Sequence, residues 1–182
     1  MGKDTKERIM IAARALAEES QSVQGVTISL ESVAKRVGLT KPGLMYHYSS
    51  KKALMLGLVE YTAQRWGRLL AEAAGSGPEG LSPFDRHRAY VTVATAAELS
   101  RGDYWISTDM HYLPVLAEAW TRHLNAWLDV EGLSRETAAL LDTARFAADG
   151  AWAAAATELF PARDLSDVRE CAMRLIDEAE KS

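Results

Sequence analysis

Apolar positions recur along the chain at three- and four-residue steps, and no sustained apolar/polar alternation of Val, Ile and Thr develops, so the pattern predicts an all-α protein. In residues 6–19, Ile9, Ala12, Ala13, Leu16 and Ala17 share one face of an amphipathic helix. A loop ending at Gly25 follows. A short helix at 30–37 comes next, with Ser29 placed to cap its start and Gly38 to stop it in the left-handed conformation. A longer helix spans 51–74 and runs into GSGPEGLSP, residues 75–83, the one strong linker signal. Beyond it the pattern predicts helices at 84–100, 104–110, 114–130, 134–160 and 165–180, with Asp103 and Ser134 as N-caps and Pro114 and Pro161 at boundaries.

The stretch from Leu30 to Tyr48 departs from this alanine-rich background. Val33, Val37, Leu39 and Leu44 flank Ala34, small enough for two helices to cross closely, and Gly38, suited to a turn with positive φ. That spacing describes a helix-turn-helix. Thr40 caps its second helix, and Pro42 falls in the first turn, where a missing N–H is harmless. Lys41 and Gly43 then lie at the leading end, where base edges would be reached, and Gly43 permits close approach to a groove. Tyr46, His47 and Lys51 follow where phosphates would flank it. Tyr48, in register with Leu44, reads instead as a core aromatic.

Charge sharpens the picture. The net charge of −4 argues against nucleic acid as a sum, but residues 1–55 hold nine Lys/Arg against five Asp/Glu, +4, and the remainder twelve against twenty, −8. A basic head on an acidic body suits a polyanion partner for the head alone. The 182 residues suffice for one domain or two small ones with a proper core, and the single cysteine, Cys171, excludes an internal disulfide framework. No stretch approaches the roughly 18 uncharged apolar residues of a membrane span, and residues 1–20 lack a signal-peptide core, so a soluble cytoplasmic protein is expected.

The segment ISLESVAKRVGLTKPGLMYHYSSKKALM, residues 28–55, resembles the DNA-binding domain of the tetracycline-repressor (TetR) family of bacterial transcriptional regulators. The likeness extends upstream through RIMIAARALAEE and downstream into ALMLGLVEYTAQRW, about the first third of the chain in all. It implies an all-helical homodimer, with a three-helix DNA-binding unit at 1–50 and an effector-binding and dimerisation domain at 51–182 whose first helix, 51–74, connects the two. The implied DNA-contacting set is Ser29, Thr40, Lys41, Pro42, Gly43, Met45, Tyr46, His47 and Lys51. Met45 stands where the family usually has a tyrosine and offers apolar contact only, Pro42 replaces the usual glycine, and Tyr48 closes a motif that usually ends in phenylalanine. Glu31, near the start of the first motif helix, is an unhelpful charge beside phosphate.

Family members usually dimerise through their last two helices. Val168, Ala172, Leu175, Ile176 and Ala179 form an apolar stripe in the last one, and GAWAAAATELF, residues 150–160, offers a small-residue surface before it; burial within one subunit would satisfy either stripe alone. Two reading helices would then sit about 34 to 36 Å apart, the spacing of successive major grooves at a palindromic operator. For a small-molecule effector the candidates are Trp105, Asp109, Tyr112, Trp127, Phe146, Asp149 and Trp152, flat side chains with a few polar groups to orient a ligand. Trp127 shares a face with Trp120, Leu124 and Leu128, which packing alone also explains. Asp109, His111 and His123 lack the short-spaced framework of a metal site, and no nucleophile elbow or phosphate loop is present, so no metal, cofactor or enzymatic activity is expected. The expected function is a ligand-responsive DNA-binding regulator, a repressor released by its effector. A helical protein-interaction module, or a small-molecule-binding enzyme with a vestigial DNA unit, are the readings from other classes.

Overall fold

The computed structural model describes residues 2–19, 28–96, 101–108 and 113–182. Among them are nine helices and no strand: α1 (Gly2–Glu19), α2 (Leu30–Val37), α3 (Lys41–His47), α4 (Lys51–Ala74), α5 (Pro83–Ala94), α6 (Arg101–Thr108), α7 (Leu113–Leu128), α8 (Arg135–Thr157) and α9 (Leu165–Ala179). The all-α expectation holds. The loop expected to end at Gly25 lies outside the described residues. The chain divides into two compact units, Met1–Gln64 with Ser100–Trp120, and Arg65–Leu99 with Thr121–Ser182.

The first unit is organised by α1, whose stripe Ile9, Met10, Ala13 and Ala17 is buried with Val33, Ala34, Leu44, Leu54, Met55, Leu58 and Ile106 in one core. Ser29 caps α2 through a capping box, its Oγ accepting from the Ser32 N–H at 3.0 Å while Ser32 Oγ accepts from the Ser29 N–H at 3.1 Å. Gly38 ends α2 at φ 73°, a conformation costly for any residue with a Cβ. The α6 segment packs against α1 through Arg14, whose Nε and Nη2 donate to Asp103 Oδ1 and Oδ2 at 2.6 and 2.8 Å, and through the Gly102 N–H, which donates to Glu18 Oε2 at 2.7 Å.

This corrects the reading of Asp103 as an N-cap. The helix starts two residues earlier, at Arg101, and Asp103 lies within its first turn, fully buried and ion-paired. An aspartate at a helix start suits a cap, but here a long-range guanidinium satisfies the carboxylate instead.

The second unit packs α5 and α9 on α8 and on each other, with Trp66, Leu70, Tyr90, Val91, Leu124, Trp127, Leu141, Ala144, Ala148 and Ile176 buried. Here α5 ends at Ala94, short of the predicted 100, because Arg169 of α9 donates from Nε to Thr95 Oγ1 at 2.8 Å and from Nη2 to the Thr95 carbonyl at 2.9 Å, satisfying the helix end. Ser134 caps α8 as expected, accepting from the Thr137 N–H at 3.1 Å. The helix stops at Thr157, before the predicted Phe160, where Glu158 turns left-handed at φ 58°. Ala172, Ile176 and Ala179 of the last apolar stripe are buried within the single chain, Val168 and Leu175 partly so.

Candidate functional site

The α2–α3 pair displays its polar residues by burying very little else. Leu44 is the buried anchor of α3, at 0% exposure, and the residues around it turn outward: Lys41, Pro42, Met45 at 40% and Tyr46 at 88%. Gly43 and His47 are half-buried, and the Tyr46 and His47 rings meet edge to face with centroids 5.3 Å apart. Thr40 Oγ1 accepts from the Gly43 N–H at 3.1 Å, fixing the helix start. Ser50 plays the same part for α4, accepting from the Ala53 N–H at 3.1 Å, so that Lys51 stands exposed in the first turn of that helix. Tyr48 packs on the core as its register implied, and Gly57 leaves room for it, since a Cβ there would lie 2.6 Å from Tyr48 Cε1.

The surface is knit locally by ion pairs. Arg36 of α2 donates to both carboxylate oxygens of Glu19 of α1 at 2.8 and 2.9 Å. Lys41 Nζ donates to Glu31 Oε1, joining the leading end of α3 to the first turn of α2. That hydrogen bond holds the Glu31 carboxyl below its ordinary value. Ser29, half-buried, is occupied by its capping box.

The residues expected to bind an effector are distributed over both units. Trp105 lies in α6 of the first, half-buried with its ring edge-on to Tyr104 at 5.6 Å. Trp127, Phe146, Asp149 and Trp152 belong to the second, and Asp109 and Tyr112 lie outside the described residues, as does His111. Trp127 is buried at 2% exposure. Phe146 is 60% exposed, its ring covered on one face by the Arg145 guanidinium at 4.1 Å. Asp149 Oδ1 accepts from Tyr90 Oη at 2.7 Å and Oδ2 from Arg145 Nη1 at 3.1 Å. Burial raises the Asp149 carboxyl above its ordinary value, against the pull of those two donors.

Trp66 bridges this group, its ring 5.7 Å from Tyr90 and 5.0 Å from Trp152. The sequence reading missed Trp66, Tyr90 and the neighbouring His87, which is 1% exposed and bonded through Nδ1 to the Pro83 carbonyl at 2.8 Å. The spacing of Arg86, His87 and Tyr90 on one predicted helix was the available signal, but nothing in it pointed to Asp149, 59 residues away. A surface pocket of about 240 Å³ in the same unit is lined by Ala73, Leu81, Arg88 and Thr92 among others, and by none of the expected ligand residues. Among the described residues no cluster of His, Cys, Asp or Glu is placed to hold a metal, and no helix is long and apolar enough to cross a membrane.

Solved structures of similar fold span nearly the whole chain. A TetR transcription regulator from Haloarcula marismortui shares 16% identity at TM-score 0.66, covering 97% of this chain and 98% of its own. A TetR-family member from Streptomyces coelicolor shares 21% at TM-score 0.61, covering 93% and 96%. The multidrug binding protein EbrR in complex with malachite green shares 20% at TM-score 0.62, covering 93% and 96%. No match to a curated protein was found. The family model described as Tetracyclin repressor-like, C-terminal domain, matches residues 85–177, just over half of the chain and C-terminal to the α2–α3 pair. With that match, the chain belongs to the tetracycline-repressor family of transcriptional regulators.

Proposed function

We propose that the chain is a ligand-responsive repressor of the bacterial cytoplasm that binds a palindromic operator as a homodimer through α3 and lets go when a small molecule occupies its second unit. One observation carries the reading. The buried Leu44 leaves Lys41, Met45 and Tyr46 on the outer face of α3, with His47 beside them and Lys51 following on α4. Lys41 and Met45 are suited to base edges, a guanine and a thymine methyl respectively. Tyr46, His47 and Lys51 are suited to phosphate, while Thr40, Pro42, Gly43 and Ser29 set the helix starts that aim them. The homodimer is supported by a face of α8 on which Ala139, Thr143, Phe146 and Gly150 are exposed in the single chain, small residues around one large ring. Ala172, Ile176 and Ala179 of the α9 stripe are already packed and Val168 and Leu175 partly so, whereas α8 exposes Phe146 at 60%.

The effector reading draws on Trp66, Tyr90, Trp152 and Asp149 of the second unit, with Trp127 of the same unit retained as a candidate. Because Arg145 and Tyr90 already engage the Asp149 carboxylate, the group offers hydrogen bonds more than net charge, which favours a weakly polar aromatic molecule over a cation. Release requires that the ligand prefer the arrangement that fits DNA poorly; a coupling of about 1 to 3 kcal/mol weakens operator binding roughly 5- to 150-fold.

The test is a gel-shift titration at moderate salt against the duplex enriched by the protein from a random pool. Wild type is expected to prefer it over a scrambled duplex, and a combined Lys41→Ala, Tyr46→Ala, Lys51→Ala variant to lose that preference while remaining folded. Absence of preference in the wild type overturns the reading.

A further inference from the structure

We propose that Glu31 is a specificity-determining residue of the reading surface, one that holds Lys41 away from bare phosphate and so favours the cognate sequence over other DNA; the inference rests on the assignment of α3 to the major groove made above. Glu31 lies in the first turn of α2 and its Oε1 accepts from Lys41 Nζ at the start of α3, with side-chain exposures of 62% and 50%. A carboxylate therefore stands in hydrogen-bond contact with the ammonium that would approach the bases. By itself such a charge in a DNA-facing position is unfavourable, and its placement calls for a physical account.

Attachment to arbitrary DNA draws mainly on release of counterions where cations meet phosphate. A lysine already matched by a carboxylate displaces fewer of them, and the carboxylate repels phosphate directly, so Glu31 weakens attachment to every duplex alike. A guanine–cytosine pair offers something different. Guanine presents two acceptors, O6 and N7, to a lysine, and cytosine presents its N4 amino group to a glutamate. At that pair both members of the ion pair exchange one hydrogen-bond partner for another of the same sense, and neither is left without one. An exposed ion pair costs little to open, so the penalty persists on wrong sequences and is offset on the right one.

The experiment measures affinity and salt dependence for two duplexes, the one enriched by the wild-type protein and a scrambled one of equal length and composition. Glu31→Gln is expected to bind the scrambled duplex about two- to five-fold tighter, with a log–log salt slope steeper by about 0.9. Its affinity for the enriched duplex should rise less or fall, so the ratio between the two declines. In a Lys41→Ala background the same substitution should lower the ratio less. Equal gains on both duplexes, an unmoved ratio, or a decline just as large without Lys41 overturns the proposal. A wild-type protein with no preference for either duplex removes the DNA-reading assignment itself and this inference with it, whereas a preference that survives Glu31→Gln intact removes this inference alone.

Discussion

Two neighbours on α3, Leu44 at 0% exposure and Tyr46 at 88%, divide the labour of a seven-residue helix between holding and presenting. Leu44→Ala should destabilise the protein by about 2 to 5 kcal/mol in denaturant unfolding, the range for deleting a fully buried leucine. Tyr46→Ala should leave the unfolding free energy within about 0.5 kcal/mol of wild type, as for other exposed positions, yet weaken binding to operator and scrambled duplexes alike. Reversal of that pattern would mean that α3 does not present Tyr46 to DNA. His87 supplies a test of a different kind. Burial pushes its imidazole below the ordinary 6.5, with Arg86 and Arg145 adding to the effect and the Pro83 carbonyl and Asp142 opposing it. The unfolded chain thus takes up a proton near 6.5 that the native site refuses, so stability conferred above that pH declines as pH falls towards the depressed native value. Asp149, raised by burial, works in the opposite sense: its native carboxyl takes its proton more readily than the unfolded one, and stability falls as pH rises from 3.8 to the raised value. His87→Leu should therefore flatten the decline of thermal midpoint as pH falls below 6.5, and a decline as steep as that of wild type would locate the titrating group elsewhere.

At the scale of elements, α6 lies close against α1 in the first unit. A Cβ on Gly102 would stand 2.8 Å from the Glu18 backbone nitrogen and 3.2 Å from the Ala17 carbonyl carbon, atoms that cannot swing aside. Gly102→Ala is expected to cost about 1 to 3 kcal/mol of stability, read by chemical denaturation, although alanine is the better helix former in isolation; a neutral or stabilising result would show that the two helices part easily. How much of this was legible in the sequence follows from the range of the forces involved. The caps at Ser29, Thr40 and Ser134 and the stop at Gly38 are local, written within three or four residues, and they were read correctly. The end of α5 was set by Arg169, 74 residues on, and the part played by Asp103 by Arg14, 89 residues back. A periodic pattern carries no information about such partners. The same holds for the candidate sites: the outward face of α3 followed from one helix's own register, whereas the grouping of Trp66, Tyr90, Asp149 and Trp152 required three helices to be assembled first.

For the molecule as a whole, the assembly proposed through α8 predicts that Phe146→Glu yields a monomer by size-exclusion chromatography with light scattering, with unchanged helicity and operator affinity reduced at least about 100-fold, because two half-sites are no longer bound together. A dimer that survives the substitution would move the interface away from that face. The bond between Arg14 and Asp103 has a further consequence, for biosynthesis. The core that supports α3 includes Ile106 and Ala119 as well as α1, so the unit that carries α3 is not encoded by the first 64 residues alone. As the polypeptide leaves the ribosome, α1 emerges with an arginine and an apolar stripe whose partners are still untranslated, and the unit can close only after Asp103, Ile106 and Ala119 have been read. A reporter fusion made from the first four helices would carry that unfinished seam permanently, and such a fragment should be a substrate for proteases before it is a ligand for DNA.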